Sequence, residues 1–144
     1  MRRFVTIPLM AIAALALQLN AEATEAEVVA VVSADNPIDS ISRIELTNIF
    51  LGKSGSFPGG APAQPVDLRE GAQSRVMFYS EFAGKSPAQL KAYWSKMIFT
   101  GRGQPPKAVD DGNAVKQWLA QNPNAIGYLD NSLVDDRVKI VSVE

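Results

Sequence analysis

Pro65-Val66-Asp67-Leu68-Arg69-Glu70-Gly71-Ala72-Gln73-Ser74-Arg75-Val76-Met77-Phe78-Tyr79-Ser80-Glu81-Phe82 governs how the rest of this chain is read. Val66 to Leu68 reads as a short strand, the next residues as a tight polar turn, and the remainder as a helix whose apolar positions include Phe78 and Phe82. Free backbone N–H groups and the positive end of the helix dipole then fall near Gln73 to Arg75. Arg69 and Arg75 bracket that point. A helix N-terminus with guanidinium groups beside it is an oxyanion site in outline. A turn carrying two solvated arginines is the plainer reading of the same residues.

Upstream of this unit, Val28 to Val32 is a β-branched run, suited to a strand buried on both faces of a mainly parallel sheet. Ser33 to Asp39 follows as a loop with Asn36-Pro37 as its turn signal. Ser42-Arg43-Ile44-Glu45 has the form of a capping box, with Ile41 and Leu46 placed for a hydrophobic staple. That helix should run to about Leu51 and stop at Gly52. Lys53 to Pro65, rich in Gly, Pro and Ser, reads as a long loop.

Downstream, the helix after the turn should close at Gly84. Ser86-Pro87-Ala88-Gln89 opens another, with proline at the favoured first position. Leu90, Tyr93, Trp94, Met97 and Ile98 fall on one stripe of it, which reads as core-facing. Thr100 to Pro106 is irregular. Asp110 or Asp111 can cap a helix carrying Val115, Trp118 and Leu119, ending before Asn122-Pro123. Ala125 to Leu129 and Val138 to Val143 read as the last two strands, joined by a turn over Asn131 to Arg137. The order β-α-β-α-α-α-β-β argues for an α/β sandwich with helices covering a central sheet.

Met1 to Ala23 reads separately. A basic head, an apolar run from Phe4 to Leu19 and the Ala21-Glu22-Ala23 cleavage pattern are the parts of a secretory signal peptide. The expected boundaries are a leader over 1–23 and one domain over 24–144. The expected location is the periplasm. Lys and Arg number 14 against 15 Asp and Glu, so nothing in the charge balance points to nucleic acid. Histidine and cysteine are both absent, which excludes Ser-His and Cys-His nucleophile pairs, the usual zinc sites, and disulfides. The pairs Asp110-Asp111 and Asp135-Asp136 sit where caps or turns need a carboxylate, and Gly101-Arg102-Gly103 lacks the rest of a phosphate-cradling nucleotide loop. No enzyme activity and no cofactor are expected. Oxyanion binding fits better, with Gln73, Ser74, Arg69 and Arg75 as donors and Arg102 in a second glycine-flanked loop able to face the same sheet edge.

Several segments together resemble one family. Asn36-Pro37 followed by Ile49-Phe50-Leu51-Gly52-Lys53 resembles the "NP…IFxGK" signature of phosphate-type periplasmic substrate-binding proteins of ABC transporters. Asn122-Pro123-Asn124-Ala125-Ile126-Gly127-Tyr128 resembles their "PGAIGY" segment. Phe99 to Pro106 fits the short, single-domain members. The resemblance implies one lobe of a type II periplasmic-binding-protein-like fold, a central mixed sheet flanked by helices. It also implies a phosphate-like small oxyanion as ligand, and an ABC permease, a periplasmic protein or a second copy in a homodimer as partner.

In the full-length family the turn reads roughly Arg-x-Asp-Gly-Ser-Gly-Thr. Arg69 matches its arginine, but Gly71, Gln73, Ser74 and Arg75 stand where the acidic acceptor, serine, glycine and threonine would be. Glu70 replaces the acceptor only if the turn shifts by one residue. The competing expectation is a non-catalytic interaction module that keeps the fold without solute binding, with the Lys53 to Pro65 loop and Phe57 as its contact surface.

Overall fold

A computed structural model describes residues 26–144; the leader reading of 1–23 lies outside them. The described chain forms one six-stranded sheet and four α-helices: β1 (Val28–Ser33), β2 (Ser40–Ile41), α1 (Arg43–Phe50), β3 (Gln64–Leu68), α2 (Gln73–Ala83), α3 (Pro87–Phe99), β4 (Lys107–Val109), α4 (Gly112–Gln121), β5 (Ala125–Asp130) and β6 (Val138–Val143). A single 3₁₀ turn, Asn131–Leu133, links the last two strands. The sheet order is β2-β6-β1-β5-β3-β4.

β1 sits inside the sheet with four of its six residues in an unbroken buried run, as its β-branched composition requires. Its direction differs from expectation. Both neighbours, β5 and β6, are antiparallel to it, whereas β2–β6, β5–β3 and β3–β4 are parallel pairs. β1 thus runs against the other five strands, and the sheet is mixed. Burial on both faces selects apolar side chains whichever way the neighbours run, so the composition carried no directional information.

Side-chain alternation assigns the helices to faces. Tyr128 of β5 stacks on Phe78 of α2 at 4.1 Å and lies 5.8 Å from Phe50 of α1. A Cβ on the preceding residue, Gly127, would come within 2.9 Å of Val115 in α4. Successive strand residues point to opposite faces, so α1 and α2 cover one face and α4 the other. α3 is tied to the end of α1 by the Tyr93 hydroxyl, which donates to the Leu51 carbonyl at 2.6 Å.

The helix ends follow the capping chemistry of the sequence. Ser42 with Glu45 and Ser86 with Gln89 form complete capping boxes, and Asp111 rather than Asp110 caps α4. Gly84 closes α2 in the left-handed region at φ 63°. Four expectations need correction. β2 and β4, two and three residues long, carry no run long enough to announce a strand. β3 begins at Gln64, two residues before the expected start. Ile98, placed on the core stripe of α3, is 56% exposed, because the last turn of the helix projects past the core. Phe57, offered as a contact residue, is 5% exposed. Its loop folds back on itself through Phe57 N–H to Ala61 and Ala63 N–H to Gly55, which draws the ring into the core.

Candidate functional site

β3 delivers the chain to the turn. Arg69 N–H donates to the Val109 carbonyl at 3.0 Å, Gly71 takes φ 89°, and Ala72 N–H returns to the Arg69 carbonyl at 3.2 Å. The helical ladder of α2 opens with Val76 N–H donating to Ala72 at 3.2 Å. The N–H groups of Gln73, Ser74 and Arg75 lie ahead of that bond and have no helical acceptor. In α1, α3 and α4 a side chain caps this end; the N-cap of α2 is Ala72, which has nothing to offer. Its donors are left for something else.

Beneath this turn lies a polar cluster that the sequence reading passed over. Asp67, next to last in β3, is 3% exposed. Its carboxylate accepts from the Tyr79 hydroxyl at 2.6 Å, from the Tyr128 hydroxyl, and from the Leu68 N–H at 2.8 Å. Burial, and after it the charge of Asp67, pushes both phenols well above the usual tyrosine range, so both stay protonated as donors. Arg75 closes the cluster from above. Its Nε stands 3.6 Å from Asp67 Oδ1, buried and without a hydrogen bond, and its guanidinium lies 5.5 Å over the Tyr79 ring. The side chain as a whole is 17% exposed. The signal available in the sequence was a lone carboxylate between Val66 and Leu68, since a buried charge needs partners nearby.

The sequence-predicted residues are partly gathered. Glu70, Gly71 and Arg75 line one depression of about 190 Å³, floored by Val76, Tyr79 and Leu90, and Lys85 joins them there. Lys85 was not foreseen. Gln73 is exposed and Ser74 half-buried on the first turn of α2. Arg69 is exposed and donates through Nε to the Asp110 carbonyl at 3.3 Å, toward the start of α4. Arg102 is not brought to the turn. It follows the C-terminus of α3 and lines separate depressions with Lys53, Lys96 and Gln104. Among the described residues no group of three or more acidic side chains is placed to hold a metal ion.

Apart from Tyr128, the residues of the family-like segments that make the contacts below are structural. Asn36 Nδ2 donates to the Pro123 carbonyl at 2.9 Å, while its Oδ1 accepts from Ile38 N–H at 3.0 Å. The Asn36-Pro37 and Asn122-Pro123 loops are therefore clipped to each other. Phe50 is core, and Gly52 adopts φ 72° with the Trp94 ring 3.3 Å from where a Cβ would stand.

No family model matches the chain, and no curated protein sequence matches it. Solved structures do. A putative phosphate ABC transporter substrate-binding protein from Clostridium perfringens, with bound phosphate, superposes with a TM-score of 0.63 at 23% identity, over 82% of this chain and 45% of that one. An ABC-type phosphate transport receptor from Vibrio cholerae gives 0.65 at 18% identity, over 82% and 46%. The PstS protein of Borrelia burgdorferi gives 0.59 at 15%, over 83% and 47%. The chain has the fold of phosphate substrate-binding proteins. It spans less than half the length of each of these fold relatives. The expectation of a periplasmic-binding-protein-like α/β fold with a mixed sheet is met.

Proposed function

We propose that this chain binds a small oxyanion of the phosphate class at the N-terminus of α2, as a non-catalytic solute-binding protein serving ABC-type uptake or sensing in the periplasm. The observation that carries this reading is the uncapped first turn of α2 with Arg75 beside it, in a fold shared with proteins that bind phosphate. Backbone N–H groups of Gln73, Ser74 and Arg75 supply directional donors, and the helix dipole favours negative charge there. The Ser74 hydroxyl, the Gln73 amide and the free edges of the Arg69 and Arg75 guanidinium groups add to them. Glu70 accepts from a protonated oxygen of the ligand. We leave Arg102 out of the set because it lines other depressions. Periplasmic location rests on the leader-like residues 1–23; among the described residues no helix is long and apolar enough to cross a membrane.

The site is open to water, which screens its ion pairs and argues for modest affinity unless a partner closes over it. Calorimetric titration with phosphate and sulfate tests the reading. Saturable heat and a raised melting temperature are expected, with Arg75→Ala and Arg69→Ala each weakening binding about tenfold or more, equal to about 1.4 kcal/mol. Lys91→Ala, on the exposed face of α3, should bind as the parent does. Millimolar phosphate that neither releases heat nor raises the melting temperature would overturn the reading.

A further inference from the structure

At the opposite end of β3 from the α2 turn, the surface changes character. Two depressions meet at Gly52 and Lys53. One, of about 480 Å³, runs past Gln64, Pro106, Lys107 and Trp118. The other, of about 550 Å³, runs past Tyr93, Lys96, Met97 and Arg102. The Tyr93 hydroxyl in the second depression donates to the Leu51 carbonyl, and in the first the Lys107 Nζ stands 4.4 Å over the Trp118 ring.

Four cations, Lys53, Lys96, Arg102 and Lys107, line this joined groove, and no carboxylate does. Among the described residues none of the four makes an ion pair, although the chain as a whole carries a formal charge of −1. Lys96 lies in the last turn of α3, where a cation offsets the helix dipole, but Lys107 opens a strand and has no such role. Beside the groove, Ile98 is 56% exposed and lines a further depression with Arg102. An exposed isoleucine beside a basic groove that Tyr93, Met97 and Trp118 also line is a feature of interaction surfaces rather than of a solvated face.

We propose that this groove docks an extended acidic segment of a partner protein, its carboxylates facing the four cations and an apolar side chain covering Tyr93 and Met97. The charge pattern selects a partner of opposite sign. The apolar lining favours a polypeptide over an inorganic polyanion, which has nothing to place against Trp118, Tyr93 or Met97. The groove is also far larger than one tetrahedral oxyanion needs. It is independent of the α2 turn: β3, about 13–17 Å long at the usual rise per residue, lies between them.

Fluorescence polarisation with a labelled peptide of about ten residues, alternating Glu pairs with Leu, tests it, with a lysine-for-glutamate peptide and inorganic tripolyphosphate as comparators. The acidic peptide should bind, and raising NaCl from about 50 to about 300 mM should weaken it roughly tenfold. The double variant Lys53→Glu/Lys107→Glu should lose binding at least about tenfold, Met97→Ala about threefold, and Lys91→Ala should leave it unchanged. If the charge-reversed protein does not keep the parent's circular dichroism, Lys53→Gln/Lys107→Gln takes its place. No binding of the acidic peptide overturns the proposal. Equal binding by the charge variants, or binding of tripolyphosphate without binding of the peptide, overturns it as well.

Discussion

Asp67 is the residue on which the candidate site rests. It is a buried carboxylate with two tyrosine hydroxyls and a backbone N–H on its oxygens, and Arg75 is its counter-charge. Asp67→Ala orphans both hydroxyls, and each buried unsatisfied group costs about 1–3 kcal/mol. Urea unfolding should therefore show a sharply lowered midpoint; an unchanged midpoint would mean that the cluster contributes nothing to stability. The raised ionisation of Tyr79 and Tyr128 has a definite sign. The unfolded chain releases these protons near pH 10 while the folded chain keeps them, so stability is complete below that value and falls as pH rises through it. Melting temperatures followed from about pH 8 to about pH 11 should decline, and Tyr79→Phe should decline less steeply over the same window. A decline of equal slope in the variant would remove Tyr79 as its cause. Arg69 and Arg75 by themselves carry no sign of this. It was encoded in a charged residue set between two apolar ones, which the strand reading of Val66 to Leu68 passed over.

At the scale of elements, the legible features were those with local chemistry. Ser42, Ser86 and Asp111 announce three helix starts because each cap is satisfied within three residues along the chain. β2 and β4 were missed because a pairing of two or three residues is decided by distant partners, Ser142 and Val143 for one and Val66 to Leu68 for the other. Two positions within the segments that carried the family resemblance are structural. Asn36 clips two loops 87 positions apart, and Gly127 lets α4 and β3 approach β5 closely. This explains why they signal the fold clearly and say little about the ligand. Gly127→Ala places a methyl within 2.9 Å of Val115 and 3.0 Å of Val66. Overpacking of that kind costs about 1–3 kcal/mol, readable as a lowered denaturation midpoint with the phosphate response retained. A parent-like midpoint would show that the sheet relaxes around the added methyl.

As a whole molecule the chain presents two unlike surfaces at the two ends of β3. One is a small turn with free backbone donors over a buried carboxylate; the other is a wide basic groove that Tyr93, Met97 and Trp118 also line. Its fold relatives are more than twice as long as the portion it matches, and no second half of that fold lies over the α2 turn among the described residues. Affinity is consequently the property least readable from either sequence or fold, whereas the proposed position of binding is specific enough to test residue by residue. A phosphate titration of isotope-labelled protein, followed by amide and arginine Nε–H resonances, reads that position directly. Saturable shifts centred on the Gln73, Ser74 and Arg75 amides and on Arg75 Nε–H are the expected result. Silence at those resonances in millimolar phosphate, or shifts confined to the Lys53 and Lys107 groove, would contradict it.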